Sequence, residues 1–562
     1  MWARGCMSID RIGLSAYNGG MRLSGSLAER LDELLQERRV ADGFATLAHF
    51  QKVFDRLAPE TPDAGKMLVR LAQWVDLGYR DGEFLEALAG RFVAEHRADM
   101  RLSDYLQLRM AEGFCAMGRE DLDRAIELLQ FVLMAEEELG DPRLAAIAHF
   151  WKGRCHRKKG EYDLAMANIV RGREKMQAVG LPRLAAVIQI QESWLHFQTG
   201  RLPEALHVLD EATEHLADTD DALSLGNIES ARGRMERQAG KYAEALVHFD
   251  RAVELYAQRD ANHRNLARAL VNAASVKRLI ALQLRKRIDA RAGKAPGRRG
   301  ARPAEAGLSG YLAKYTQMCD EALQQLQRAG EIYARHHYYS GTASALVNAG
   351  YIHLDSGNVE LGAGEALKAF ELARDKNDHI QMARARTLQS IAENTRVDEQ
   401  LGEDADAAVY ANNARRYAEE AVRWAELTQN RRLAAEAYVA LGMAAANDFF
   451  QEWEEAKRCV DHAAGLLGPE DHDHLWEDLM GLKMRILRAS SIDETLRGWS
   501  EGILGDKTFQ QITEEFAEIV IPKVWQREGR KVARVSSRLS ISPKKVRRVL
   551  RNVGLLKWSD PE

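Results

Sequence analysis

Apolar and small residues along this chain recur with the 3.6-residue period of a helix rather than the two-residue period of a strand. Ala165, Ile169 and Gly172 fall at helical spacing, as do Ala205, Leu209 and Ala212, and then Ala245, Phe249 and Ala252. The three sets are themselves forty residues apart. Each is introduced by a phrase of the form Gly-x-aromatic-x-x-Ala: Gly160-Glu161-Tyr162-Asp163-Leu164-Ala165, then Gly200 to Ala205 with Leu202 in the aromatic slot, then Gly240-Lys241-Tyr242-Ala243-Glu244-Ala245. Gly82 to Ala87 carries the same phrase, and Ala125 stands forty before Ala165. Each unit therefore reads as a helix, a glycine turn and a second helix. The turn glycine accepts positive φ, and a small residue in the middle of the first helix (Gly153, Ser193, Gly233) lets the second come close. One helix pair cannot cover such stripes, whereas stacked pairs can, which predicts a right-handed superhelix with a continuous core.

The phrase and its spacing resemble the tetratricopeptide repeat family, in a forty-residue form rather than the thirty-four-residue consensus. The resemblance is strongest over Gly160 to Ala252 and extends over about residues 27–465. It implies an all-α fold, a solenoid of about ten helix pairs across 25–489; residues 1–24, which mix Gly, Ser and Asn without periodicity, are expected as a disordered leader. Two interruptions break the rhythm. Residues 285–308 form a basic insertion, with eight Lys/Arg between Arg285 and Gly307 together with Pro296 and Pro303, expected as a loop between helices ending at Leu284 and resuming near Tyr311. Residues 394–408 form an acidic one. By length alone, 562 residues would imply three to five domains at about 100–200 residues each; the repeats replace that count with one long body.

The net charge of −4 hides a strong asymmetry. Lys523 to Trp558 holds twelve Lys/Arg against Glu528 alone, which points to a polyanionic partner for this segment. Its order of residue types predicts two short helices. The first places Val532, Val535 and Leu539 on one face. The second begins at Pro543 after the capping Ser542, buries Val546, Val549, Leu550 and Val553, ends at Gly554 and is followed by Leu555 folding back. Leu539-Ser540-Ile541-Ser542 followed by Val546, Leu550, Gly554 and Leu555 resembles the Fis-type helix-turn-helix at the C-termini of bacterial transcription factors, with Ser540 in place of the usual turn glycine and Pro543 where the family often has an arginine. The resemblance implies double-stranded DNA as partner, with Ser542, Lys544, Lys545, Arg547, Arg548 and Arg551 as the contacts. It also implies a homodimer through the preceding helix, whose stripe is Phe509, Ile512, Phe516, Ile519, Val520 and Val524 with Trp525. Residues 508–562 thus form the reader, joined to the solenoid by a linker at 490–507.

Carrying the repeat register along the first helices places Arg154, Arg157, Lys158, Trp194, Phe197, Arg234, Arg237, Lys277 and Arg278 on the concave wall, a groove suited to a protein or an acidic peptide, or to a phosphate-bearing ligand. Salt bridges to acids such as Glu192 and Glu236 are the competing use of those cations. Other chemistry is thin. The chain has no H-E-x-x-H, G-x-S-x-G or Walker loop, so no catalytic residue, metal or cofactor is expected; Gly362-Ala363-Gly364 falls in a repeat helix, and Glu470 to His474 reads as a solvated loop. Five well-separated cysteines read as reduced thiols. With no membrane-length apolar run and no secretion signal in Met1 to Gly20, a cytoplasmic protein is expected. The reading is a DNA-binding regulator with a partner-binding solenoid; the alternative is an adaptor or scaffold subunit whose tail touches nucleic acid incidentally.

Overall fold

The computed structural model describes residues 25–61, 63–292, 302–398, 404–468, 470–489 and 509–556. The leader, the linker, Cys6 and the centres of both insertions lie outside the described residues. Within them every regular element is a helix, none long and apolar enough to cross a membrane. The chain divides into two compact units, one running to Leu482 and the other from Lys483.

The first unit is a tetratricopeptide-like solenoid. It opens with α1 (Gly25–Gln36), α2 (Val40–His49) and α3 (Gln51–Asp55), then α4 (Ala64–Asp76) with α5 (Gly82–Ala89) and the short α6 (Ala94–Ala98). Regular pairs follow: α7 (Leu102–Gly118) with α8 (Leu122–Met134), α9 (Pro142–Lys159) with α10 (Tyr162–Ala178), α11 (Pro182–Gln198) with α12 (Leu202–Leu216), and α13 (Ala222–Gln238) with α14 (Tyr242–Arg259). After them come α15 (Arg264–Ala292) with α16 (Arg302–Arg335), α17 (Tyr339–Asp355) with α18 (Val359–Asp375), α19 (His379–Asp398) with α20 (Asp404–Glu426), α21 (Arg431–Ala445) with α22 (Trp453–Leu466), and finally α23 (His474–Ala489), within which the first unit ends.

The repeat chemistry works as its residues require. Gly160, Gly200 and Gly240 sit at φ 81°, 81° and 75°, where an L side chain is strained. A methyl on Gly153 would stand 2.9 Å from the Ile169 side chain, and one on Gly233 2.9 Å from the Phe249 ring, so only glycine permits these crossings. Ser193 solves the same problem differently, donating its hydroxyl to the Ala205 carbonyl at 2.7 Å. Gly82, by contrast, is no turn glycine: it opens α5 behind the capping Asp81, and Gly78 at φ 93° makes the turn. The basic insertion also differs from expectation, because α15 continues to Ala292 and α16 begins at Arg302. Arg285 and Lys286 belong to that helical extension, where Lys286 pairs with Glu477 at 2.6 Å.

Contacts between residues far apart in sequence bring successive superhelical turns together. Arg38 forms a buried ion pair with Asp221, while Asp220 accepts the N–H groups of Val40 and Ala41 at 2.6 and 2.9 Å. Glu120 accepts the N–H of Tyr339 at 2.9 Å, Gln429 donates its N–H to the Gly160 carbonyl at 2.8 Å, and His472 donates to the Gln238 carbonyl at 3.1 Å. That last contact corrects the reading of Glu470 to His474 as a solvated loop: Asp471 and Asp473 are buried and take the guanidinia of Arg431 and Arg432. Among the described residues no group of His, Cys, Asp or Glu is arranged to hold a metal, and Cys115, Cys155, Cys319 and Cys459 are buried free thiols.

The second unit contains α24 (Phe509–Arg527), α25 (Val532–Leu539) and α26 (Pro543–Asn552). Its core is Ala517, Ile521 and Trp525 from α24, Val535 from α25, and Val546, Val549 and Leu550 from α26. Ser540 adopts the left-handed conformation at φ 51°, and Ser542 caps α26 by accepting the Lys545 N–H at 3.2 Å. Val553 and Leu555 are exposed, and Leu556 packs on the core instead, because the chain turns at Gly554 (φ 73°) after α26 has ended.

Candidate functional site

Helices α4, α7, α9, α11 and α13 line a cavity of about 780 Å³, closed from the other side by residues 260–268 and the connection from α16 to α17. Of the expected groove residues, Arg154, Arg157 and Lys158 line this cavity and Trp194, Phe197, Arg234, Arg237, Lys277 and Arg278 do not; the cations among them divide sharply in how they are used. Arg154 is bound to Asp76 at 2.6 Å, Lys277 to Glu321 at 2.6 Å and Arg278 to Asp355, so these three cations are spent inside the fold. Phe197 does not belong to the groove at all: it is buried in a core with Ile190, Leu209 and Met235, because its helical position faces the partner helix. The acids expected to compete for these cations are used elsewhere, Glu192 by Arg173 at 2.7 Å and Glu236 by Lys241 at 3.2 Å.

Arg157, Arg234 and Arg237 behave otherwise. None is within ion-pair distance of a carboxylate among the described residues, and the Nε–H of each is buried without an acceptor. Arg157 stacks over the Trp194 ring at 4.7 Å, and Trp194 meets Tyr162 edge-on. Lys158 lies 4.9 Å from the Tyr338 ring centre. Burial, reinforced by Arg268, pushes Arg157 down to about 10 and Arg234 down to about 9. Arg237 is lowered as well, chiefly by burial, although Asp473 opposes the shift.

Sequence reasoning missed Arg264, Arg268 and His263, which line the cavity from the second turn. Arg268 donates to Asn227 at 2.9 Å and Asn265 at 3.0 Å, both neutral amides. The repeat register leads to α15, but nothing in one sequence tells that this part of the chain comes to lie opposite Gly78 and Trp151.

The second candidate surface is α26. Its apolar face is consumed by the three-helix core, and Lys544, Lys545 and Arg547 have no carboxylate partner among the described residues. Arg548 is paired with Glu514 at 2.7 Å across to α24, and Arg551 is half-buried. Ser542, the cap of α26, spends its oxygen on the backbone.

No protein-family model matches the chain, and no curated protein does. Among solved structures, a Rap protein complexed with competence and sporulation factor is similar, with a TM-score of 0.48 at 13% identity, over 71% of this chain and 98% of that one. NprR in complex with its cognate peptide NprX gives a TM-score of 0.40 at 12% identity, over 62% of this chain and 96% of that one. The human IFIT1 dimer with m7Gppp-AAAA gives 0.39 at 11% identity, over 78% of this chain and 94% of that one.

Proposed function

We propose that this chain is a regulator that acts by binding rather than by catalysis: its solenoid holds a protein or an acidic peptide, and its C-terminal unit binds double-stranded DNA to control transcription. The observation that carries the DNA reading is the two-sided use of α26. Val546, Val549 and Leu550 are buried, which fixes the helix on its scaffold, while Lys544, Lys545 and Arg547 remain available to phosphates and base edges. Arg548 reaches DNA only by leaving Glu514, so it contributes less than its sequence position implies. On α24, Ala517, Ile521 and Trp525 face inward, leaving Ile519 and Val520 as the part of the stripe through which two copies would pair and space two half-sites.

Fluorescence titration of the full chain with labelled duplex DNA across a salt series tests this. Lys544→Ala, Lys545→Ala and Arg547→Ala together weaken binding by roughly tenfold or more, and each lost phosphate contact flattens the logarithmic salt slope by about 0.9. An unchanged affinity and slope removes DNA from the account.

A further inference from the structure

Two kinds of cation stand among the inner helices of the solenoid. Arg154, Lys277 and Arg278 each have a carboxylate, whereas Arg157, Lys158, Arg264 and Arg268 gather around the cavity without one. The buried Nε–H groups of Arg157 and Arg268 lack acceptors, and the other partners of Arg268 are neutral: the amide oxygens of Asn227 and Asn265, which accept from its Nη2, and the Tyr256 hydroxyl. None of the acids that line the cavity, Asp76, Asp81, Glu83, Glu86 and Asp260, is within ion-pair distance of Arg157, Lys158, Arg264 or Arg268. Asp76 is held by Arg154, Glu86 by Arg119, and Asp260 accepts the Asn262 N–H at 2.8 Å. Lys158 and Arg264 both lie over the Tyr338 ring, at 4.9 and 5.7 Å, so aromatic faces hold the cations in place without cancelling their charge.

Clustered, desolvated guanidinia repel one another, and a fold that retains them keeps a destabilising arrangement unless an anion completes it. One planar fork satisfies a carboxylate; several donors converging from different helices match a tetrahedral group with three or more acceptor oxygens. A cavity of about 780 Å³ suits a small molecule, not a folded partner. We propose that this cavity binds a small phosphate-bearing molecule, whose phosphate oxygens accept hydrogen bonds from Arg157 and Arg268 with Lys158 and Arg264 completing the charge. The inference rests on reading the solenoid as the ligand-binding part of the chain, and it names the chemistry of one subsite. Because the cavity lies between superhelical turns, with Arg157 on one and Arg264 and Arg268 on the other, an anion bound there ties the turns together.

Calorimetric titration of the full-length protein with inorganic phosphate, pyrophosphate, AMP and ATP, beside an unphosphorylated poly-glutamate peptide, decides the matter. At least one phosphate compound is expected to bind and to raise the melting temperature. Arg157→Gln and Arg268→Gln are each expected to weaken that compound tenfold or more while the ligand-free melting temperature holds or rises, since each removes an uncompensated cation. Arg157→Lys, which keeps the charge but not the fork, is expected to bind with intermediate affinity. If no phosphate probe binds, or if both glutamine variants bind as well as the parent, the proposal is overturned. Poly-glutamate binding with no response to phosphate also overturns it, but leaves the acidic-peptide reading of the solenoid standing. DNA binding measured on the same preparations reports on the reader unit separately.

Discussion

His263 shows how one side chain records the packing around it. Its Nδ1 accepts the backbone N–H of Asn265 at 3.2 Å, which only an unprotonated nitrogen can do, and burial together with Arg264 pushes its pKa down to about 4. An unfolded histidine titrates near about 6.5. Between those values the unfolded chain holds a proton that the folded one refuses, so this residue's contribution is complete above pH about 6.5 and is lost as pH falls towards 4, with a slope of up to about 1.4 kcal/mol per pH unit. His263→Asn keeps an acceptor near Nδ1 and cannot protonate. Its melting temperature is expected to fall less between pH 7 and pH 5 than that of the parent, and parallel curves would contradict the assignment. The glycines carry the opposite lesson: Gly153 and Gly233 were legible from spacing, because a side chain missing at a fixed interval marks where a neighbouring helix must approach closely. Phe197 was not, since an aromatic two or three residues from a groove position is compatible with either face until the helix is docked.

At the scale of the element, helix existence follows from periodicity, and helix ends follow from caps. α26 begins where Ser542 and Pro543 predict. The extension of α15 to Ala292 was hidden, because a run of arginine and lysine is as acceptable in an exposed helix as in a loop. The three-helix unit has a small core, so single deletions there act strongly. Leu550→Ala removes a fully buried side chain at a cost of about 2–5 kcal/mol, and Ser542→Ala removes a cap worth about 1 kcal/mol. The first is expected to unfold residues 509–556 while the solenoid melts as before, which limited proteolysis and calorimetry distinguish. A coincident loss of both transitions would show the two units to be energetically one.

Across the whole molecule, what matters is how superhelical turns meet. The buried Arg38–Asp221 pair joins positions 183 residues apart, with a 2.8 Å bond from Nε, and Asp221 also caps α13 through the Ser224 N–H at 3.0 Å. Removing one partner leaves a charge buried alone. Asp221→Ala is therefore expected to cost about 3–5 kcal/mol and to raise amide exchange in α1 and α2 selectively. Arg38→Met combined with Asp221→Leu should recover most of that loss, and exchange unchanged in the single variant would show the turns to be held by other contacts. The repeat phrase, the helix pairs, the apolar core and the basic C-terminal helix were all written in local order, because each depends on residues three, four or forty positions apart. Which concave cations are neutralised depended on partners 44 to 78 positions away, Glu321 for Lys277, Asp355 for Arg278 and Asp76 for Arg154, and that residues near 157 and 268 border one cavity depended on how the superhelical turns meet. Ion pairing needs only a few ångströms in space and leaves no periodic trace along the chain, so tertiary structure alone decided it.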